Sequence, residues 1–215
     1  MKIAIVGAES TGKTRLALEL TTHFQANGQN TQMIEEFLRE WCEREQRTPQ
    51  ACEQRLIAQE QARRINACAN APGTYTVADT TPLMIAVYSD LLFGDLSLYA
   101  FALQHQRDYD LTLLTGLDLP WVADGLQRDG PHVRPGVDRL VRRALNQAGI
   151  AYHVVHGQGG ERLARALSVI EHAGLQHSPR RSAPGEWTWT CAHCDSALCE
   201  LRMFTELVRT DSARR

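Results

Sequence analysis

The sequence predicts an α/β fold: a parallel sheet of about five strands with helices on both faces, followed by a small Cys-containing C-terminal tail. Three observations predict it. Short apolar runs alternate with helical segments along the first four-fifths of the chain. A glycine-containing loop directly follows the first run. Acidic residues stand at the ends of the second and third runs. Such alternation builds right-handed βαβ units, and ligands of these sheets bind at the carboxyl ends of the strands.

Lys2–Val6, KIAIV, is continuously apolar after its first residue, as a strand buried on both faces must be. From Lys13 to Asn27, Leu16, Leu20 and Phe24 recur every four residues on one helical face, and Gly28 stops the helix. Thr31–Glu35 is the second predicted strand, with Glu35 and Glu36 at its end. Thr48 and Pro49 have the form of an N-cap and first helical position, opening a helix to about Asn70 that carries Leu56, Ile57, Gln61 and Ile65. After Gly73, Thr74–Ala78 is the third strand and Asp79 sits at its end. Thr81 and Pro82 open an apolar helix, and a further helix covers about Leu96–Arg107. Leu111–Thr115 is the fourth strand. Pro120–Pro135, rich in Gly, Pro, Asp and Arg, reads as a functional loop. A helix over Val137–Gln147, a strand over Ile150–Val155 and a helix over Glu161–Ala173 complete the core. The phosphate loop described below, Glu35/Glu36, Asp79 and Asp118–Gly125 all follow strands, so they should converge on one rim.

The 215 residues suffice for one α/β domain with a small appendage. A formal net charge of −2 argues against a nucleic-acid platform built on overall charge. No apolar stretch reaches about 18 residues, so no transmembrane helix is expected. The first strand begins at the initiator Met, with no signal peptide before it, which predicts a cytoplasmic protein. Its six Cys are then thiols or metal ligands, not disulfides.

Residues 7–14 read G-A-E-S-T-G-K-T, the phosphate-loop pattern of P-loop NTPases. Gly7 and Gly12 allow a backbone that bulkier residues resist. The N–H groups from Glu9, Ser10 and Thr11 through Thr14 can then turn inward as an anion nest at a helix N-terminus. Lys13 bridges the terminal phosphates of ATP, and the Thr14 hydroxyl ligates Mg²⁺.

Asp79 at a strand end suits the same Mg²⁺, directly or through water; the alternative is a cap for the next helix. Glu36 could accept the proton of a substrate hydroxyl, and Glu36 with Arg39 could hold a sugar; a solvated helix start is the other reading. Gln61 either packs among apolar residues or faces the cleft. Trp121, with Asp124 on the same loop, plugs the core or stacks on a flat ligand, best a cationic one. Arg128 and Arg134 suit closure over transferring phosphates, against a solvated charged face.

Residues 1–176 thus form the expected catalytic domain, 177–190 a Pro-, Ser- and Arg-rich linker, and 191–215 a tail. Cys191, Cys194 and Cys199 resemble part of a zinc knuckle, with a fourth Zn²⁺ ligand to be supplied by His177, a core Cys or a second subunit. Simple packing of these thiols is the alternative.

With these residues assembled, the chain resembles the nicotinamide riboside kinase family, the P-loop domain of NadR-type proteins. The resemblance rests on G-A-E-S-T-G-K-T at 7–14, E-F-L-R-E at 36–40, the segment at 57–62, A-D-T-T at 78–81 and P-W-V-A-D-G-L at 120–126, spanning about residues 1–172. The last piece is the most specific. The resemblance implies ATP-dependent phosphorylation of the 5′-hydroxyl of nicotinamide riboside, with Trp121 on the pyridinium ring and Asp124 neutralising it or bonding its amide. The family often has Arg directly after D-G-L; here Gln127 precedes Arg128. The tail lies outside the family pattern, and a regulatory ATPase switch signalling through it is the competing expectation. No N-K-x-D guanine signature follows the fourth strand, which disfavours a GTPase.

Overall fold

The computed structural model describes residues 1–68, 73–122 and 130–177, which belong to one compact unit, Met1–His177. The linker from residue 178 and the Cys tail lie outside the described residues, as do Asp124 and Arg128.

Five parallel strands form one sheet in the order β2-β3-β1-β4-β5. They are β1 (Lys2–Val6), β2 (Thr31–Ile34), β3 (Tyr75–Asp79), β4 (Leu111–Thr115) and β5 (His153–Val155). β1 is central, pairing with β3 on one side and β4 on the other. Ile3, Ala4, Ile5 and Val6 are fully buried, as its uninterrupted apolar sequence requires. Helices α1 (Lys13–Ala26) and α7 (Gly160–His177) cover one face, where Leu16, Leu20, Phe24 and Ile170 pack on Ile3, Ile5, Val77 and Leu113. On the other face α4 (Pro82–Phe93) and α6 (Arg134–Gln147) join Val6 and Leu114 in a larger cluster. α4 is apolar almost all round because α3 (Gln54–Cys68), α5 (Tyr99–Gln106) and α6 all contact it.

Several boundaries differ from expectation. Thr48 and Pro49 do not start α3. Gln50 caps a 3-10 turn at Ala51–Glu53 instead, through a reciprocal pair with Glu53, and α3 begins at Gln54. A helix α2 (Phe37–Glu45) occupies the stretch after β2. β5 is only His153–Val155, because Ile150 instead packs against the core after bonding back to Leu145. α6 starts at Arg134, inside the segment expected to be loop, and α7 runs on to His177.

Arg64 is one of the side chains that brace α2 onto α3. Arg64 places its guanidinium 4.4 Å from the centroid of the Phe37 ring and bonds both Glu40 and Glu60. Loss of this brace would loosen the first turn of α2, which Gln61 also holds through Phe37 N.

Candidate functional site

The phosphate loop leaves β1 at Gly7 and enters α1 at Lys13. Gly7 has φ +146°, and a Cβ there would collide with the Thr115 hydroxyl of the neighbouring strand. Gly12 has φ +76° and would press a Cβ onto Leu119 at 3.0 Å. Both positions therefore require glycine, for conformation and for space. Ser10 also lies in the left-handed region at φ +52°, a modest strain of the kind that concentrates at ligand clamps. The Thr11 hydroxyl donates to Ala8 O at 2.7 Å and lies 2.7 Å from Thr115 Oγ1, which fixes the loop's inner side to β4. Lys13 Nζ donates to Ala8 O at 2.8 Å, so the ammonium is held over the loop.

Asp79 ends β3 next to this loop and is 1% exposed. Burial pushes its carboxyl pKa up, against the opposing pull of the Thr14 hydroxyl and the Lys13 and Arg39 charges. One of its oxygens is buried without a hydrogen-bond partner. An orphaned carboxylate oxygen beside a threonine hydroxyl is a donor set that suits a hard cation such as Mg²⁺. Thr80, which follows, is β-branched yet sits at φ +71°, so the chain is strained where Asp79 is presented. Capping of α4 falls to Thr81, whose hydroxyl accepts from Leu83 N; Asp79 is not the cap.

Glu36 and Arg39 lie at the start of α2 and are joined by a 3.3 Å ion pair. Gln61 faces neither apolar side chains nor the cleft with its amide. Its Oε1 accepts from Phe37 N at 2.7 Å and its Nε2 donates to Glu35 O at 3.2 Å. It therefore positions the β2–α2 turn, and direct contact of its amide with substrate gives way to that role.

Arg134 also departs from expectation. It is 7% exposed, and it donates to Leu119 O at 2.9 Å and Leu117 O at 3.4 Å. It holds the backbone of the loop after β4 and is not a mobile arginine. Trp121 is half-buried, with its indole N–H partnerless. The adjacent Val122 N donates to the Ser10 hydroxyl at 2.8 Å. The segment holding Trp121 is thereby tied to the phosphate loop itself.

Sequence reasoning missed Arg162. On the first turn of α7, it is 4% exposed. It donates to Thr11 O, to Gly157 O at 2.8 Å and to Asp118 Oδ1 at 2.9 Å. Asp118 in turn accepts from Gly157 N at 2.7 Å. Desolvation opposes ionisation of Asp118, but the Gly157 N–H, Arg162 and His156 outweigh it and hold the carboxyl below its usual range. A charged residue at a helix start ordinarily reads as solvated, so nothing in G-E-R marked this one. Gln158, also unanticipated, lines the cleft.

That cleft has a volume of about 560 Å³ and is bounded by Ser10, Lys13, Thr14, Arg39, Pro120 and Gln158, among others. Phosphate-loop residues thus share one cavity with Arg39 and with the loop preceding Trp121.

A family model described as an AAA domain matches residues 2–162, three-quarters of the chain. The chain belongs to that AAA domain family. No match was found among curated proteins. Among solved structures, the fold matches a NadR protein in complex with NAD and AMP-PNP at TM-score 0.63 and 21% identity, covering 80% of this chain and 49% of NadR. It matches NadR in complex with NR at TM-score 0.61 and 18% identity, over 86% and 52% of the two chains. It also matches deoxyadenosine kinase from M. mycoides, bound to dCMP and dCDP, at TM-score 0.57 and 12% identity, over 80% and 100%. This AAA-family domain therefore has the P-loop kinase fold and spans about half the length of the NadR chains. Among the described residues no helix is long and apolar enough to cross a membrane, and no cluster of three His, Cys, Asp or Glu could hold a metal. The Zn²⁺ expectation at Cys191, Cys194 and Cys199 lies outside the described residues.

Proposed function

We propose that this protein is an ATP-dependent nucleoside kinase whose acceptor is the 5′-hydroxyl of nicotinamide riboside. The observation that carries the kinase reading is the shared cleft: Lys13 and Thr14 of the phosphate loop open onto the same space as Arg39, whose ion-pair partner is Glu36. In this reading the acceptor oxygen attacks the γ-phosphorus. The bond from that phosphorus to the β–γ bridging oxygen breaks, ADP leaves, and the hydroxyl proton passes to Glu36. Catalysis here is positioning plus charge neutralisation, with Lys13 and the inward N–H groups on the phosphates. Thr14 and Asp79 would hold Mg²⁺, which would neutralise phosphate charge when bound.

The acceptor assignment rests on Trp121 beside the phosphate loop and on the P-W-V-A-D-G-L sequence. The likeness to the structures of NadR with NR and of NadR with NAD and AMP-PNP supports it. Asp124 is proposed as the carboxylate toward the pyridinium or its amide, and Arg128 as the arginine that neutralises the transferring phosphate; both lie outside the described residues. Protein with ATP, Mg²⁺ and nicotinamide riboside should yield ADP and nicotinamide mononucleotide in equal amounts. Absence of product at millimolar riboside would sink the substrate assignment and leave ATP binding standing. Lys13→Ala should lower turnover about 100-fold or more with the fold intact by circular dichroism; unchanged turnover would refute its role.

The AAA domain family match favours a second reading, a regulatory ATPase acting through the tail. Deletion of residues 178–215 separates the two, since a kinase keeps its turnover and a switch loses its partner.

A further inference from the structure

We infer that Arg39 is the arginine of the donor side: it contacts the γ-phosphate of the bound triphosphate, and its ion pair with Glu36 links that phosphate to the acceptor's base. The inference deepens the kinase reading and rests on it only for the role of Glu36.

Among the described arginines around the cleft, the geometry disqualifies the others. Arg134 is buried on two loop carbonyls. Arg162 is buried on Thr11, Gly157 and Asp118. Arg15 also lines the cleft, but its side chain is 77% exposed and it pairs with Glu19 at 2.8 Å one turn along α1. Arg39 lines the cleft as Arg134 and Arg162 do not, and it is less exposed than Arg15. Its side chain is 40% exposed and borders the same cleft as Ser10, Lys13 and Thr14. Its hydrogen bonding among the described residues is limited to the 3.3 Å contact from one terminal nitrogen to Glu36. The other guanidinium donors are open to a ligand, and a guanidinium fork matches phosphate oxygens bidentately. Lys13 and Arg39 thus put two cations on the wall of the one cleft in which the phosphates would lie.

The rest of the fold keeps Arg39 in place. Gln61 fixes the turn into α2, and Arg64 clamps Phe37. An arginine on a braced helix needs no loop closure to meet the phosphate, and its i, i+3 pairing with Glu36 keeps base and phosphate within one helical turn. Glu36 is the less exposed of the two, at 15%.

Binding titrations without any acceptor test the donor contact. Wild-type protein with Mg²⁺ should bind AMP-PNP more tightly than ADP. In Arg39→Ala that preference should shrink about 10- to 100-fold, the range for a lost hydrogen bond to a charged group, with ADP affinity nearly unchanged. Arg39→Lys should recover part of it, because an ammonium keeps the charge but not the fork. Arg15→Ala tests the other described arginine that lines the cleft and should leave the preference intact. Equal loss of ADP and AMP-PNP affinity in Arg39→Ala, or no loss of either, would overturn the assignment. So would a wild-type protein with no preference for the γ-phosphate. A protein that fails to phosphorylate nicotinamide riboside but shows the Arg39-dependent preference refutes the acceptor and keeps this inference.

Discussion

Arg162→Met removes the cation that joins the phosphate loop to the loop after β4. Three acceptors lose a donor: Thr11 O, Gly157 O and Asp118 Oδ1. Breaking a buried ion pair by deleting one partner costs about 3–5 kcal/mol. The Asp118 side chain is 30% exposed and keeps its bond from Gly157 N, so solvent offsets part of that loss. The methionine fills some of the vacated volume. The net expectation is a destabilisation of about 2–4 kcal/mol. For a domain of this size that lowers the melting temperature by on the order of 10 °C. Nucleotide affinity should fall as well, because Thr11 belongs to the anion-binding loop. Differential scanning calorimetry with and without ADP measures both. The double variant with Asp118→Asn should be less destabilised than the sum of the single variants, since the two side chains share one interaction. A melting temperature within about 2 °C of wild type, or strict additivity, would refute the claim that this network holds the loops together.

Three further predictions rest on other parts of the network. Gln61→Ala strands Phe37 N and Glu35 O and should cost about 2–3 kcal/mol in chemical denaturation, with turnover falling because Glu36 and Arg39 are displaced; Gln61→Glu should retain the bond to Phe37 N and lose that to Glu35 O. Asp118 is held below its ordinary pKa in the folded state, so its contribution is fully present above the unfolded value near 3.9 and is lost as pH falls through the folded value. The stability of the wild type should therefore drop more steeply below about pH 4 than that of Asp118→Asn, as read from denaturation midpoints; parallel curves would refute the role of that carboxylate. Asp79→Asn should keep the fold and bind ADP with little dependence on Mg²⁺, checked by titration with and without EDTA, and retained Mg²⁺ dependence would remove Asp79 from the metal site.

The legible and illegible parts of this protein separate by physical cause. Lys2–Val6 and Leu111–Thr115 match their predicted bounds because strands buried on both faces leave an unbroken apolar run. The phosphate loop is legible because Gly7 and Gly12 answer to local backbone conformation, which is written in residue type. The start of α3 was misread because Thr48 and Pro49 carry a cap pattern, while the reciprocal bonds of Gln50 and Glu53 set the turn. Arg134 was expected to close over the phosphates because an arginine in a Gly- and Pro-rich stretch looks free to move, and only the packed loop shows the carbonyls it serves.

By itself the sequence determined the alternating α/β order, the glycine-bearing loop between the first strand and the first helix, and the placing of acids at strand ends. These follow from short-range rules: periodicity, glycine conformation and the strand-then-helix order. The tertiary structure decided which polar side chains face the cleft and which support it. It placed Gln61, Arg134 and Arg162 behind the site as braces and left Arg39 on its wall. The reason is that a side chain's role depends on what neighbours offer its polar atoms, and those neighbours are distant in sequence: Arg162 meets Thr11 across 151 residues and Ser10 meets Val122 across 112.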